Sequence, residues 1–376
     1  VTGLLPRALT DLSASGPEPL RFAPITAIVM AAVLLAAWRC LYVVVLCGPA
    51  TRPRMLILGA GLAGRALYTT IAQNYTTNYN VVGFVDDDPN KQGEMVGWVP
   101  VLGTHQDLAH LAWEHHIDEI VLAISRGLPP ELMQLLMSCH EQGMAITPMP
   151  LVYERLTGKV AVEHIGSQWY VALPLQKHAS DNGLRILKRL LDVTGGLVLG
   201  TLLVVLTPII ALAIKLDSPG PVFYPQPRLG RYGQPFTVYK FRSMRDRAER
   251  DGEPQWATTN DPRVTRVGKF LRRTRLDELP QVINVVRGEM SLVGPRPERP
   301  EFVEELQRRI PFYRTRLAAK PGLTGWAQIN YGYGSSLADS LAKLQYDLYY
   351  LKHQSPWFDL LILARTILVV LRMQGR

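Results

Sequence analysis

Two long apolar stretches interrupt an otherwise mixed chain, and the first of them predicts a membrane helix. Residues 22–48 are apolar apart from Thr26 and Arg39. As a helix they are long enough to cross a hydrocarbon core of about 30 Å. Arg52 and Arg54 follow directly, and basic residues mark the cytoplasmic end of membrane helices. We expect a transmembrane helix that enters the cytoplasm at its C-terminal end, with a buried core helix as the alternative.

The second apolar stretch, about residues 190–215, carries a different flanking pattern. It has no charged residue between 193 and 214, yet Lys188 precedes it and Lys215 follows it. Both ends therefore have the cytoplasmic signature. Pro208 lies inside the stretch and removes one backbone donor, which favours a break there. The pattern predicts a re-entrant helical hairpin that anchors the chain without crossing, and a straight transmembrane helix is the alternative.

Between these stretches, residues 53–150 alternate strand and helix signals. A short apolar strand runs into Gly59, Gly61 and Gly64, and a second strand ends at Asp86. Glycines at this spacing allow a tight turn and close phosphate approach, and an acid about twenty residues further on can hold a ribose hydroxyl. We predict a Rossmann-like domain with a small parallel sheet. The ligand stays open between a nucleotide, a sugar nucleotide and none, because the glycine pattern alone is a weak signal.

The remaining boundaries follow from composition. Residues 1–21 are polar and do not begin with Met, so we interpret them as the leader of a truncated membrane region. Residues 151–184 carry weak strand signals and a polar run, and we assign them as a linker. Residues 185–376 form the last domain, with the re-entrant helix at its start.

Charge separates the two halves of the chain. Residues 1–180 contain 11 basic and 14 acidic residues, whereas residues 181–376 contain 30 basic and 18 acidic residues. The second half should therefore bind anionic partners such as lipid headgroups, phosphorylated substrates or nucleic acid. The three cysteines, at positions 40, 47 and 139, form no metal-ligand spacing, which suits a reducing compartment.

The chemistry concentrates in one stretch, residues 269–297. Asp277 and Glu278 are adjacent there, between a basic run that includes Arg272 and the turn Pro295-Arg296-Pro297. Carboxylates among fixed cations favour a site for phosphates and a metal ion. A solvated charged helix is the alternative that charge alone does not exclude.

Five motifs after the second apolar stretch resemble those of the bacterial sugar transferase family. They occur in the order KFRSM, NDPRVTRVGKF, LDELPQ, GEMSLVGPRP and PGLTGWAQI. These enzymes are polyprenyl-phosphate hexose-1-phosphate transferases that initiate exopolysaccharide and O-antigen synthesis. The resemblance covers about residues 183–376, and residues 22–150 are similar to the last membrane helix and nucleotide-binding-like domain of the long form.

The resemblance implies both a fold and a reaction. The fold is an α/β Rossmann-like domain joined to a membrane-anchored α+β monotopic phosphoglycosyl transferase domain. In the reaction, a UDP-hexose, with glucose or galactose as the expected hexose, gives hexose-1-phosphate to undecaprenyl phosphate and releases UMP. By analogy with the family, Asp277 is the nucleophile that forms an acyl-phosphate intermediate. Glu278 assists, and both carboxylates are expected to hold Mg²⁺.

The cations that neutralise the diphosphate are the second part of the expected site. Arg272 and Arg296 resemble phosphate-binding positions of the family. Lys240, Arg242 and Asn284 are added as further substrate-binding candidates, and Arg275 is a weaker one. Phosphates repel a carboxylate, so guanidinium groups or a metal must shield them before attack can occur.

Two other functions stay open at this stage. One is a nucleotide-responsive membrane regulatory or scaffold protein, and the other is an oxidoreductase built on the glycine-rich loop. The transferase interpretation implies membrane lipids as partners, no nucleic acid, and the bacterial inner membrane with the catalytic domain on its cytoplasmic face. A homodimer is compatible with two membrane-tethered domains in one chain.

Overall fold

A computed structural model divides the described chain into two units. Of the described residues, those up to 124 and those from 128 to 147 belong to one unit, and residue 127 and those from 148 to 372 belong to the other. The structure describes residues 23–41, 52–75, 78–124, 127–162, 182–246, 248, 261–332, 334 and 336–372. The predicted leader and residues 42–48 of the first membrane segment lie outside these ranges.

The described part of the first apolar stretch is helical, as expected. Helix α1 spans Ala23–Leu41, and every side chain from 26 to 41 is exposed. An apolar helix that leaves Leu34, Leu35 and Trp38 about two-thirds exposed is not a core helix of this unit. It has the surface expected of a helix that contacts lipid.

The first unit is built around a six-stranded mixed sheet. Its strand order is β3-β4-β2-β1-β5-β6, and the pairs β1–β2, β1–β5 and β2–β4 are parallel. Strand β3 pairs antiparallel with β4, which corrects the prediction of an all-parallel sheet, because these two strands are joined by a short turn. The elements are β1 (Arg54–Leu58), α2 (Leu62–Asn74), β2 (Asn80–Val85), β3 (Met95–Val96), β4 (Val99–Gly103), α3 (Leu108–Glu114), β5 (Glu119–Leu122), α4 (Pro130–Glu141) and β6 (Ala145–Pro148).

The glycine-rich loop joins β1 to α2 in the way the spacing predicts. Gly59 adopts φ +113°, a conformation that side chains disfavour. A Cβ atom on Gly64 would lie 2.0 Å from the carbonyl oxygen of Gly59, whereas one on Gly61 would meet nothing within 4 Å. Gly64 therefore permits close packing of the helix on the loop, and Gly61 faces open space.

The second unit begins earlier than the sequence suggested. Helix α5 (Met149–Thr157) belongs to it, and Val160 and Val162 are buried in a cluster with Val303 and Leu344. This corrects the linker assignment for residues 151–162. The helix is short and ends at Gly158 with φ +64°. Its sequence therefore shows too few helical turns to be distinguished from a linker. Residues 163–181 of the predicted linker lie outside the described residues.

The second apolar stretch is one continuous helix, α6 (Asn182–Asp217), with Pro208 inside it. This corrects the prediction of two helices separated at Pro208. A proline removes a single donor, and the Thr207 hydroxyl donates to the Leu203 carbonyl at 2.6 Å in the turn before it. Among the described residues, this is the one helix long and apolar enough to cross a membrane.

Helix α6 packs against the second unit along one side only. Asp192, Gly196, Leu203, Ile210 and Ile214 are buried at helical spacing. Leu197, Val198, Val204, Val205, Ile209, Leu212 and Leu216 on the remaining surface are exposed. The exposed surface of α6 is therefore apolar, and the buried stripe that packs against the unit includes the Asp192 carboxylate.

Both ends of α6 are bonded to the same unit, and at its last residue the Asp217 carboxylate accepts a hydrogen bond from the backbone of Val267 at 2.9 Å. Near its start, Lys188 Nζ donates to the Val293 carbonyl at 3.2 Å and to Asp359 at 2.7 Å. Asp192 accepts hydrogen bonds from Ser291 and from the backbone of Leu292, both at 2.8 Å.

The remaining elements of the unit are β7 (Phe223–Leu229), β8 (Pro235–Phe241), α7 (Arg266–Arg273), α8 (Val282–Arg287), β9 (Ser291–Val293), α9 (Pro300–Arg309), β10 (Gly322–Thr324), α10 (Trp326–Asn330), α11 (Leu337–His353) and α12 (Pro356–Leu371).

Candidate active site

The Asp277–Glu278 pair lies in a tight turn of helix and not in a long α-helix. Helix α7 ends at Arg273, and the dyad begins a 3₁₀ helix that spans Leu276–Gln281. Arg275 precedes it with φ 57°, a left-handed conformation that costs a non-glycine residue energy. The expected single helix through Arg272 and the dyad is therefore interrupted, and both carboxylates turn into the protein, where they are at most 9% exposed.

Glu278 is held by two cations. The Arg296 guanidinium places NH2 2.5 Å from Oε1 and NH1 3.2 Å from Oε2. Lys240 Nζ lies 3.1 Å from the same Oε1. A two-pronged guanidinium–carboxylate contact fixes orientation as well as charge. Glu278 is thus the anchor that sets where Arg296 and Lys240 point.

Asp277 differs from its neighbour although both are buried. Within the described residues its carboxylate accepts no hydrogen bond, and Lys240, Arg272 and Arg296 act on it through space. Burial and the adjacent Glu278 charge raise the pKa of Asp277 to about 6. For Glu278, burial raises the pKa, but Arg296 and Lys240 outweigh it and hold the pKa well below the usual range. The environments divide the dyad into a fixed anion and a free carboxylate.

The structure brings together most of the expected phosphate-binding cations. Lys240, at the end of β8, and Arg296, after β9, contact Glu278 directly. Arg272 bonds the Ser243 hydroxyl at 2.9 Å and is close enough to lower the pKa of Asp277. Burial lowers the pKa of Lys240 and of Arg275, and Glu278 opposes it in both.

The Arg242 and Asn284 side chains bond other parts of the chain and, among the described residues, make no hydrogen bond to the dyad, which argues against their expected role as substrate contacts. The Arg242 guanidinium donates to the carbonyl oxygens of Ser218 and Pro219 at 2.7 and 2.5 Å. Asn284 is fully buried and its amide donates to the Thr237 carbonyl and to Glu289. Strand β8 ends at Phe241, so Arg242 no longer follows the alternation that points Lys240 at the site.

Two supporting contacts of Arg296 were missed from the sequence. Gln328 Oε1, on α10, accepts from Arg296 NH1 at 3.0 Å. Arg316 NH2 donates to the Arg296 carbonyl at 3.1 Å and lies 2.8 Å from buried Asp347. No sequence pattern indicated that Arg316 and Asp347 would support Arg296, because the partners come from separate elements. Gln328, in contrast, lies in the visible motif GWAQI.

In the first unit, the carboxylate of Asp86 is hydrogen-bonded by the glycine-rich loop and by residues that follow Asp86 in sequence. The Asp86 carboxylate accepts from the backbone of Ala60 at 2.7 Å and of Asp88 at 3.0 Å, and from Lys91 at 3.1 Å. Burial raises the pKa of Asp86, but these donors outweigh it and lower the pKa. Gly59, Gly61 and Gly64 lie in the loop as expected. Asp86 serves the loop in this structure, so a ribose contact would have to share the carboxylate with three donors.

The residues of the dyad fit a metal ion only in part. The described residues contain no group of three His, Cys, Asp or Glu side chains that would hold one. Both Glu278 oxygens already contact protein cations, which does not fit its expected metal role. Asp277 remains available, and Mg²⁺ commonly binds through one carboxylate and substrate phosphates. The donor set therefore suits a metal that arrives with a diphosphate.

Comparison with known proteins places the chain in a family. The bacterial sugar transferase family matches residues 183–373, and a CoA-binding domain family matches residues 25–150. The chain is 40% identical over 303 residues to the UDP-N-acetylgalactosamine-undecaprenyl-phosphate N-acetylgalactosaminephosphotransferase of Aeromonas hydrophila, a match that covers 80% of this chain and 69% of that protein. It is 37% identical to the UDP-glucose:undecaprenyl-phosphate glucose-1-phosphate transferase of Escherichia coli K12, with 84% of this chain and 67% of that protein covered.

The extent of these matches decides what they establish. The chain spans about two-thirds of the length of these two relatives. The match to the transferase family covers the dyad, all the cations around it and helix α6. The resemblance drawn from the five motifs is thereby confirmed, and the chain belongs to the bacterial sugar transferase family.

Proposed function

We propose that the protein transfers hexose-1-phosphate from a UDP-hexose to undecaprenyl phosphate and releases UMP, with Asp277 as the nucleophile. The observation that carries this proposal is the division of the dyad. Asp277 is buried, free of hydrogen bonds from described residues and surrounded by cations, whereas Glu278 is bound by Arg296 and Lys240. The named activities of the relatives support the substrate classes.

The chemistry takes place at the phosphorus that bears the sugar. An Asp277 carboxylate oxygen attacks this β-phosphorus, and the bond to the bridging oxygen breaks, so that UMP leaves with the electron pair. The product is a mixed anhydride of Asp277 and hexose phosphate. A phosphate oxygen of undecaprenyl phosphate then attacks the same phosphorus, the anhydride bond breaks, and the carboxylate is restored. Covalent catalysis divides one difficult displacement into two easier ones.

The surrounding cations perform the electrostatic part of the reaction. Arg296, Lys240 and Arg272 are fixed by Glu278, Gln328 and Ser243, so they need little reorganisation when a diphosphate arrives. Preorganised donors of this kind stabilise charge that develops on phosphate oxygens. A bound Mg²⁺ would supply further charge neutralisation, with Asp277 as its protein ligand.

Helix α6 supports a membrane location for the site. Its free surface is apolar along its length, and both ends bond the catalytic unit through Lys188 and Asp217. We infer that the helix lies against the cytoplasmic face of the inner membrane, with both ends on that side because both bond the same unit. A lipid phosphate at the membrane surface and a soluble sugar nucleotide then reach Asp277 from different directions.

Two readouts test the proposal. Purified protein in detergent is mixed with Mg²⁺, undecaprenyl phosphate and UDP-glucose, UDP-galactose or UDP-N-acetylgalactosamine, and UMP release is measured. Intact mass of the protein is then measured with the sugar nucleotide alone. We expect UMP from at least one donor and a hexose-phosphate adduct that maps to Asp277.

The Asp277→Asn variant should lose both signals, whereas Glu305→Gln, which changes an exposed carboxylate paired with Arg309, should keep them. Absence of UMP with all three donors, or equal release from Asp277→Asn, would contradict the proposal. NAD(H)-dependent reduction of a sugar nucleotide would instead favour the oxidoreductase alternative.

A further inference from the structure

Residues 295–298, the turn after β9, are bonded to the rest of the unit through their carbonyl groups. Pro295 and Pro297 have no N–H group to donate. The carbonyl oxygen of each residue in the turn accepts a hydrogen bond. At the two ends of the turn the donors are backbone N–H groups, of Gly322 at 2.8 Å and of Leu229 at 3.0 Å. A turn with so few donors of its own depends on groups from other elements.

The two central carbonyls of the turn are bonded by arginine side chains. Arg316 NH2 donates to the Arg296 carbonyl at 3.1 Å, and Arg228 NH1 donates to the Pro297 carbonyl at 3.2 Å. The first of these carbonyls is attached to the Cα atom from which the Arg296 side chain extends. Its hydrogen bond therefore constrains this side chain at its base, whereas Glu278 constrains the guanidinium at its tip.

Each of the two arginines also contacts a second element. Arg228 NH2 donates to Gln226 Oε1, on β7, at 2.6 Å. Arg316 NH1 donates to the Tyr313 hydroxyl at 2.7 Å, and its NH2 lies 2.8 Å from Asp347, on α11. A guanidinium presents its N–H donors in a rigid plane, so it holds two partners at a fixed separation. An ammonium group on a flexible stem does not.

The charge of both arginines lies where little water reaches it. Arg316 is 4% exposed and the side chain of Arg228 is 14% exposed. A buried charge is unfavourable unless it is paired, and Glu298 lies 3.6 Å from Arg228 and 3.9 Å from Arg316. Apolar side chains would fill the same space without a charge, but they could not donate to the carbonyls of the turn. The hydrogen bonds to the turn therefore explain why the residues are arginines.

We propose that Arg316 and Arg228 are positioning residues for the transfer, which hold the turn at residues 295–298 and so place the Arg296 guanidinium against the diphosphate. Neither residue contacts the reacting atoms in this proposal. The inference rests on the proposed function, since it names further residues that serve the same reaction.

The test measures kcat/KM for UMP release by the full chain, with a sugar nucleotide that the parent enzyme uses. Arg316→Lys and Arg228→Lys should each lower this constant at least tenfold, because a guanidinium displaced by about 1 Å no longer meets phosphate oxygens at hydrogen-bond distance. The matched control Arg309→Lys changes an exposed arginine and should stay within twofold of the parent.

A double-mutant cycle separates positioning from general damage to the fold. In an Arg296→Ala background the guanidinium that these residues position is absent, so Arg316→Lys and Arg228→Lys should each change kcat/KM by less than twofold. A variant that only loosens the fold would lower kcat/KM by the same factor in both backgrounds. If Arg316→Lys does not fold, the Arg228→Lys cycle decides, because Arg228 bonds a different carbonyl of the turn.

Two results would overturn the proposal: a kcat/KM within twofold of the parent in each lysine variant that folds, or an equal loss with and without Arg296. A failure of the transferase function is recognised separately, because the parent enzyme then releases no UMP.

Discussion

Arg296 and Glu278 form a two-pronged ion pair, with 2.5 Å between NH2 and Oε1 and 3.2 Å between NH1 and Oε2. Their elements are separated in sequence, yet this contact fixes the position of the Arg296 guanidinium. In the proposed reaction the pair therefore orients Arg296 beside Asp277 and takes no part in bond formation.

A lysine at position 296 should keep the charge and lose the geometry. We expect Arg296→Lys to lower the rate of UMP release about 100-fold, because an ammonium group cannot contact both Glu278 oxygens and a phosphate in fixed positions. The control Arg309→Lys alters an exposed guanidinium and should leave the rate within twofold. A rate for Arg296→Lys close to that of the parent would show that charge alone is sufficient.

The pH dependence of UMP release should report the ionisation of Asp277. Burial and Glu278 raise its pKa to about 6, so the nucleophilic carboxylate is lost, and the rate falls, as the pH drops through about 6. Lys240 lowers this pKa through space. In Lys240→Gln the acidic limb of the kcat/KM profile, which reports the pKa of the free enzyme, should therefore move to higher pH, in addition to any loss of rate. A limb that stays in place would exclude Asp277 as the titrating group.

The glycine-rich loop offers a matched pair of substitutions. Gly64→Ala should destabilise the first unit by about 2 kcal/mol or more, because the new Cβ would overlap the Gly59 carbonyl. Gly61→Ala should change the free energy of unfolding by at most about 0.5 kcal/mol, since its Cβ would face open space. Chemical denaturation monitored by circular dichroism separates them, and equal effects would contradict the observed loop geometry.

Arg242 and Asn284 should affect stability and not substrate affinity. Arg242→Ala leaves the Ser218 and Pro219 carbonyls without their donor, and Asn284→Ala does the same to Thr237. We expect each to cost about 1–3 kcal/mol in the free energy of unfolding. The KM for the sugar nucleotide should stay within twofold. A large rise in KM at unchanged stability would return these residues to the binding site.

The orientation of α6 can be tested by labelling. In a background without Cys40, Cys47 and Cys139, single cysteines at Arg185 and Lys215, both exposed, should react with an impermeant maleimide from the same side of sealed vesicles. Both ends of the helix bond the same unit, which gives the physical reason. Labelling from opposite sides would establish a spanning helix.

Sequence reasoning selected Asp277, Glu278 and most of the surrounding cations, because motif order and charge are visible in short stretches of sequence. It did not identify the pairing of Arg296 with Glu278 and Lys240, since three separate elements supply the partners. Lys240 and Arg242 look equivalent in KFRSM, and only the end of β8 at Phe241 directs them to different places. Asn284 was a further substrate-binding candidate, but its amide bonds Thr237 and Glu289 in the core.

Hydropathy predicted the two apolar helices and the alternating α/β region, because apolar runs and periodic burial are visible in the sequence. Hydropathy and the position of Pro208 wrongly predicted a break there, because whether a proline breaks a helix depends on how the helix packs along its side. Hydropathy also failed for residues 151–162, where a short helix gains its stability from Glu154 contacts with Lys352 and His353 on α11. Such contacts link residues far apart in sequence and leave no local pattern.

One turn of α6 contacts strand β9, which leads to Arg296. Lys188 and Asp192 together bond Ser291, Leu292 and Val293, and the chain reaches Arg296 three residues later. We therefore expect a tilt of this helix to shift the Arg296 guanidinium. With α6 at the membrane, as we propose, the thickness of the surrounding lipid should then change the rate of UMP release.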